Sequence, residues 1–157
     1  VDGSRFSNYE TYFKTLETFE NSIHQDTYSS VLKNMFSSMF FSKDFDKHKS
    51  RVIERAINIP ENLSLPLRRN AIWYDSHCVE KNLSNLRLPV LILHSTKLDE
   101  KMERSPILKK DQISYIDFIK SYNLKIRIEL FEGTGHYITI EKPEIVNDIM
   151  SEWIYEL

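Results

Sequence analysis

The feature that most constrains the fold is a short apolar run, Val90–His94, that begins directly after Pro89. A continuous run of this kind is typical of a strand that is buried on both faces of a parallel sheet. Residues 125–131 instead alternate charged and apolar side chains, which indicates a strand with one face in solvent, such as an edge strand. Because helical spacing over 111–121 separates the two, the pattern predicts a parallel pair of strands joined by a helix.

Helical patterns of apolar residues occur in the first half of the chain and in its last segment. Pro143 opens the last segment, and proline is well tolerated at the first position of a helix. An apolar stripe then continues to Leu157, as in an amphipathic helix. Residues 87–157 therefore read strand, helix, strand, helix, an order that implies a parallel sheet. Residues 8–86 show helical spacing and no strand alternation. The helices predicted there lie around residues 9–19, 28–41, 52–57 and 67–74.

A parallel pair of strands by itself is an incomplete sheet. Both of its edges and much of its apolar surface stay exposed, so a stable sheet needs more strands. Val1–Gly3 is suited to be the tail of a third strand that begins upstream of this chain. We therefore expect a missing N-terminal segment. Exposed edges are also places where two copies pair, so a homodimer through the sheet edges is a further expectation.

Composition excludes several classes of function. The chain has only three glycines, so it holds neither a P-loop nor a dinucleotide-binding fingerprint. Its single cysteine, Cys78, excludes an intrachain disulfide and a Cys-rich zinc site. Lys and Arg total 21 against 23 Asp and Glu, a net charge of -2, which gives no electrostatic case for nucleic acid or a membrane as partner. Without a signal peptide or a membrane-length apolar run, we expect a cytoplasmic location.

Two residues with chemical potential follow the two predicted strands. Gly133 and Gly135 precede His136, and such glycines allow the backbone to present an imidazole at the carboxyl end of the sheet. Imidazole is the side chain best suited to proton transfer near neutral pH. Asp99 follows the buried strand and is suited to accept the other ring N–H. Each also has a structural interpretation, His136 as a turn residue and Asp99 as a solvated loop acid.

These motifs resemble the C-terminal half of an α/β-hydrolase. The similarity is carried by Leu88–His94, by an acid soon after it, and most specifically by Phe131–Glu144, where Gly-x-Gly-His-aromatic is followed by apolar residues and Glu-x-Pro. The resemblance implies an α/β fold class, with a helical cap and the C-terminal part of a parallel α/β-hydrolase sheet, as a fragment of a larger domain. Residues 1–7 are then the end of a sheet strand, 8–86 the helical cap or lid, and 87–157 the C-terminal βαβα part of the core.

The resemblance also assigns roles to residues. His136 matches the general base of a Ser-His-acid triad, and Asp99 is the best match to its acid. Asp2 is the alternative acid, because some relatives place the acid one strand earlier. Tyr137, Met39, Phe40 and Trp73 are expected to line the substrate pocket, because soft and aromatic side chains suit apolar pockets. The alternative is that they pack within the protein. No cofactor and no metal is implied.

The nucleophile of the family is missing from this sequence. No G-x-S-x-G elbow occurs, and the conceivable substitutes are Ser4, Ser95 and Cys78. We therefore expect a portion of an α/β-hydrolase that acts on a small, largely apolar ester or related acyl substrate. Its serine would lie upstream, so the chain alone would be inactive. Its partners would be the small-molecule substrate and the missing N-terminal half of the same protein. The alternative is a non-catalytic α/β-hydrolase-like module that binds a ligand or a partner.

Overall fold

The computed structural model describes residues 7–99, 103–122 and 125–157. Within them the chain has a mixed α/β structure with a small parallel sheet, which confirms the α/β class. The helices are α1 (Tyr12–Gln25), α2 (Tyr28–Ser37), α3 (Asp46–Ile57), α4 (Glu61–His77), α5 (Val79–Asn85), α6 (Ser114–Lys120), α7 (Ile138–Glu141) and α8 (Pro143–Tyr155), with a 3-10 helix at Lys43–Phe45. The strands are β1 (Val90–His94), β2 (Thr96–Leu98), β3 (Arg104–Pro106) and β4 (Ile126–Leu130). None of these helices combines the length and the hydrophobicity needed to cross a membrane.

The parallel pair predicted from the sequence is β1 with β4. Val90 lies opposite Ile126, and His94 lies opposite Leu130. Helix α6 lies between the two strands in the chain, so the predicted strand–helix–strand unit is confirmed. Among the strands of the described residues, β1 and β4 pair only with each other. The third strand expected at Val1–Gly3 falls outside the described residues.

Helices α6 and α8 lie on opposite faces of this pair. Leu93 of β1 belongs to a buried cluster with Phe131 and with Val146 of α8. Because successive side chains of a strand point to opposite faces, His94 faces away from α8. On that side its ring lies 5.6 Å from the ring of Tyr115 in α6. The parallel pair is therefore the middle layer between two helices, as the continuous apolar run of β1 indicates.

The charged face of β4 is partly exposed, and within the described residues β4 is an edge strand, as its alternation predicts. This face also carries ion pairs that the sequence does not reveal. Arg127 donates to Glu129 on its own strand, to Glu152 of α8 and to Glu156 directly after α8, at 2.9, 2.5 and 3.2 Å. Its side chain is only 26% exposed. Hydrogen bonds to Glu152 and Glu129 raise the pKa of the Arg127 guanidinium above its ordinary value. The charges alternate because this face binds the end of α8 through ion pairs.

Strands β2 and β3 form an antiparallel hairpin that the sequence does not predict. Thr96 lies opposite Pro106, and Leu98 lies opposite Arg104. Each strand has three residues, too few to display the alternation by which a strand is recognised. The hairpin occupies the region that the sequence suggests is a charged loop, and it brings Arg104 into the unit that holds His136.

The internal contacts of the chain divide it into two compact units. One contains residues 38–48 and 87–157, and with them the four strands of the described residues. The other contains residues 7–37 and 49–86. The segment 38–48 thus groups with the strands although it lies between helices in the chain. The assignment of residues 8–86 as a lid stays a prediction.

The helical unit has its own internal connections. Arg69 of α4 donates to both carboxylate oxygens of Glu20 in α1, at 2.6 and 2.9 Å. Ile72 of α4 is 1% exposed, so α4 contributes a fully buried side chain. Pro66 lies inside α4, where it removes one helical N–H donor. The helices predicted around 9–19, 52–57 and 67–74 are confirmed as α1, α3 and α4.

Helix α2 ends at Ser37, earlier than the helical pattern through residue 41 predicts. Met39 and Phe40 are buried, but they follow the helix instead of extending it. In a continued helix the carbonyl of Met39 would accept from the N–H four residues later. Here it accepts from the N–H of His136, so a contact distant in sequence replaces a helical one.

We expect Leu93→Ala to destabilise the chain strongly. Leu93 is 8% exposed, and a cavity left by a buried leucine costs about 2–5 kcal/mol of unfolding free energy. Leu88→Ala is the matched control, because Leu88 is 69% exposed just before the same strand. We expect its effect to stay within about 0.5 kcal/mol. Urea unfolding measures both, and equal losses would contradict the placement of β1 as the core strand.

Candidate functional site

The loop that presents His136 begins where β4 ends. The N–H of Phe131 donates to the carbonyl of His94, at 2.8 Å, and the chain then turns at Gly133. Gly133 has a φ of 63°, in the left-handed region that other residues adopt only at a cost. Its N–H donates to the carbonyl of Ile107, at 3.0 Å, which fastens the turn to the residue after β3. The expectation that glycines shape the backbone before His136 is confirmed.

Gly135 occupies a space that admits no side chain. A Cβ there would overlap Oε1 of Glu141 and would lie 2.6 Å from the carbonyl oxygen of Met39. The N–H of Gly135 donates to Oε2 of Glu141, at 2.9 Å. Its carbonyl accepts from the hydroxyl of Ser95, at 2.8 Å. Ser95, directly after β1, and Glu141 of helix α7 therefore both hold the backbone of the residue that precedes His136.

His136 is half-buried and is held through its backbone as well as its ring. Its N–H donates to the carbonyl of Met39, at 2.9 Å. The ring of Tyr137 lies edge-on to the imidazole at 5.2 Å, and stacks on the ring of Phe40 at 4.9 Å. The structure thus brings three of the predicted pocket residues together beside His136. Met39 takes part through its carbonyl, which the sequence analysis did not anticipate, and a role in lining a substrate pocket stays a prediction.

Trp73, the fourth predicted pocket residue, belongs to the helical unit. Its ring stacks on His77 at 5.4 Å, and the side chain is 47% exposed. The rings of Tyr9 and Tyr12 also contact His77, at 5.4 and 4.9 Å. Trp73 is therefore part of an aromatic cluster on α1 and α4, and its contact with a substrate stays a prediction.

Arg104 is the charged group that the structure places against the imidazole. Its Nη1 lies 3.3 Å from Nδ1 of His136, and the same atom donates to the hydroxyl of Thr96. A guanidinium is always a donor, so in this contact Nδ1 accepts and the neutral ring carries its proton on Nε2. In a Ser-His-acid triad the roles are reversed, because Nδ1–H donates to the acid and Nε2 takes the proton.

The proximity of Arg104 also affects Tyr137. Burial raises the pKa of the Tyr137 phenol above its ordinary value, and the positive charge of Arg104 acts in the opposite direction. Because burial has the larger effect, the phenol stays neutral at neutral pH. Tyr137 therefore offers an O–H next to the imidazole, as well as an aromatic ring.

Asp99 has a structural part in the hairpin. Its Oδ1 accepts from the N–H of Glu103, at 2.8 Å, and its own N–H donates to the carbonyl of Glu103, at 3.1 Å. These bonds close the end of the β2–β3 hairpin, and Asp99 is exposed there. Its role as a catalytic acid stays a prediction. Asp2, the alternative acid, lies outside the described residues.

The conceivable substitute nucleophiles are placed differently. Ser95 is fully buried, and its hydroxyl donates to the carbonyl of Gly135, so it serves the loop. Cys78 is a half-buried free thiol between α4 and α5. Ser4 lies outside the described residues. In the part of the chain that the structure describes, no group of three or more His, Cys, Asp or Glu residues is arranged to hold a metal ion.

Sequence reasoning missed two residues of this site. Glu141 stands in the Glu-x-Pro motif quoted above, but the spacing does not reveal that its carboxylate returns to the N–H of Gly135. Its other oxygen, Oε1, is buried and has no hydrogen-bond partner among the residues that the structure describes. Arg104 carries no sequence signal, because its approach to His136 depends on the unpredicted hairpin.

Gly135→Ala and Gly133→Ala form a matched pair of substitutions with unequal expected costs. At Gly133 nothing lies within 4 Å of the added Cβ, so only the left-handed φ is penalised, at about 1 kcal/mol. At Gly135 the added Cβ would lie 2.6 Å from the backbone carbonyl of Met39, which cannot move aside as the Glu141 side chain can, so we expect a loss of more than about 2 kcal/mol. Chemical unfolding measures both. A cost at Gly135 no larger than at Gly133 would contradict the described loop.

We expect the ion pair behind the hairpin to be lost in acid. Lys97 of β2 lies 2.7 Å from Asp111, and the N–H of Leu108 also donates to that carboxylate, at 2.8 Å. Both contacts, Lys97 first, lower the pKa of Asp111. Because the pKa of Asp111 is lower in the folded state than in the unfolded chain, its charge stabilises the folded state above the unfolded-state pKa of about 4. This stabilisation is lost as the pH falls through the pKa of the folded state.

Wild type should therefore exceed Asp111→Asn in stability at pH 7, and the difference should shrink below about pH 4. Thermal unfolding at several pH values measures it, and Asp148→Asn, an exposed acid on α8, is the control. A difference that does not depend on pH would show that the Asp111 charge does not stabilise the hairpin.

Comparison with known proteins adds no relative. No protein-family model, no curated protein and no solved structure matches the chain. The resemblance to α/β-hydrolases therefore stays a prediction from the sequence motifs.

Proposed function

We propose that the chain is a portion of a serine hydrolase of the α/β-hydrolase type, in which His136 transfers protons during cleavage of a small, largely apolar ester or related acyl substrate. The observation that supports this proposal is the hydrogen-bonded loop that presents His136 at the carboxyl end of the parallel strand β4. Open α/β sheets bind ligands at this edge. There Ser95, Glu141 and the carbonyl of Met39 together fix the backbone around the imidazole.

In the proposed reaction a serine from outside this chain attacks the substrate carbonyl. Nε2 of His136 takes the serine proton and returns it to the leaving group, while an acid at Nδ1 stabilises the imidazolium. Asp99 is the first candidate for that acid and Asp2 the second. The proposal requires Nδ1 to carry a hydrogen during turnover, so Arg104 has to leave Nδ1 to the acid.

A non-catalytic binding module is the second candidate, and the contact with Arg104 favours it. With Nδ1 accepting from a guanidinium, the imidazole offers Nε2–H as a donor and not as a base. Together with the neutral Tyr137 phenol, this gives two donors beside the stacked rings of Phe40 and Tyr137. Such a site fits a small aromatic or apolar ligand that carries a hydrogen-bond acceptor.

The test uses the natural protein that contains this chain, a short-chain p-nitrophenyl ester and a fluorophosphonate probe. As a hydrolase, the protein should label at a serine, and His136→Gln should lower kcat by about 10²–10⁴-fold, the usual contribution of general acid–base catalysis. His24→Gln is the matched control, because His24 is an exposed histidine on α1. It should leave kcat unchanged.

Asp99→Asn and Asp2→Asn then assign the acid, because only the true triad acid should lower kcat by orders of magnitude. A folded natural protein with neither serine labelling nor ester hydrolysis would overturn the hydrolase proposal. The binding module would then stand.

A further inference from the structure

The outer edge of β4 presents backbone groups that β1 does not use. The N–H of Val90 donates to the carbonyl of Lys125, and the N–H of Phe131 donates to the carbonyl of His94. Backbone groups alternate in direction along a strand of a parallel ladder, so those of Arg127 also face β1. No strand of the described residues pairs with the opposite edge. The groups that point outward there are the N–H and C=O of Ile126, Ile128 and Leu130.

We propose that this edge pairs with β4 of a second copy of the chain, antiparallel and about a two-fold axis at Ile128. The outward N–H and C=O groups of Ile128 then bond their own counterparts, as in a hydrogen-bonded antiparallel pair. Arg127 comes to lie opposite the partner's Glu129. This is a non-hydrogen-bonded pair, in which opposite side chains approach more closely. The two-fold axis creates the pair of opposite charges twice.

The charges select this register among its neighbours. An axis at Arg127 or at Glu129 sets that residue opposite its own copy, so like charges meet. An axis at Ile126 sets Lys125 opposite Arg127, which again brings like charges together. Like charges directly opposite across a sheet destabilise the pair. The axis at Arg127 also sets Lys125 opposite the partner's Glu129, but it brings the two arginines together. Of these registers, the axis at Ile128 alone places opposite charges together without opposing like charges.

The apolar residues of the strand fit the same register. Ile128 meets its own copy, and Leu130 meets the partner's Ile126, on the face of the sheet away from α8. Leu130 is 47% exposed in the single chain, although β4 belongs to the core layer. Pairing across the axis would cover it with an isoleucine, and apolar cross-strand pairs stabilise a sheet.

A groove beside the edge receives a further charge of the partner. It lies between β4 and α8. Its ionised lining residues are Glu129, Glu132 and Lys142, and Ile145, which also lines it, is 51% exposed. The register places the partner's Lys125 opposite Phe131 at this groove. The alkyl chain of that lysine can lie on Ile145 while its ammonium approaches the two glutamates. Lys125 is exposed in the single chain and thus available for this contact.

The first measurement uses the unaltered chain under reducing conditions, at rising concentration. Sedimentation should show the mass moving from monomer to dimer. Hydrogen exchange of the Ile126, Ile128 and Leu130 amides should slow on the order of tenfold over the same range. The amides of Arg127 and Glu129, which face β1, are internal controls and should not change. A monomer mass up to millimolar concentration would overturn the proposal, as would dimerisation without protection of these amides.

The second measurement uses complementary charge variants. In Glu129→Lys two cations oppose each other across the axis, and in Arg127→Glu two anions do, so each variant alone should be monomeric. Mixing the two restores opposite charges at both pairs, and a heterodimer should form. Glu144→Lys makes the same charge change at an exposed position of α8 and should dimerise normally.

Dimerisation of Glu129→Lys as tight as that of the unaltered chain would overturn the proposed register. If Arg127→Glu fails to fold because its bonds to α8 are lost, the amide exchange of the unaltered chain still decides. The proposal does not depend on the proposed hydrolase function.

Discussion

The arrangement around His136 depends on the backbone of one residue, Gly135. Its carbonyl accepts from Ser95 at the end of β1, and its N–H donates to Glu141 of α7. Because no side chain fits at Gly135, both partners reach the backbone directly. The next N–H, that of His136, donates to Met39. The position of the imidazole is therefore determined by the residue after β1, by α7 and by the segment after α2, together with the turn at Gly133.

The β2–β3 hairpin places a positive charge, that of Arg104, beside the imidazole. Arg104 stands opposite Leu98 in the hairpin, and its guanidinium connects Thr96 with the imidazole. Lys97 ties the same hairpin to Asp111 through an ion pair. A hairpin with two three-residue strands thus places a donor against Nδ1 of His136, because a guanidinium only donates.

The parts of the fold that the sequence predicts are those with a long pattern. β1, α6, β4 and α8 each show a continuous or periodic apolar series, and each is present close to its predicted range. The end of α2 is missed because the apolar pattern continues through Met39 while its carbonyl turns to His136. The loop glycines are predictable because only special backbone geometry needs them. The contact of Arg104 with His136 cannot be predicted in this way. It depends on the register of the hairpin, and strands of three residues are too short to show a pattern in the sequence.

The contact between Arg104 and His136 also decides what a triad here requires. Nη1 lies 3.3 Å from Nδ1, so no acid atom stands directly between these two nitrogens. An acid that accepts from Nδ1–H must therefore enter between the ring and the guanidinium, or displace it. A carboxylate that enters there accepts from both groups, because it has lone pairs for each. Arg104 would then become its ion-pair partner and hold it in place. Arg104 would therefore act differently in the two candidate functions. In the binding module it leaves the ring proton on Nε2, so that Nε2 is a donor, and in the hydrolase it would position the acid.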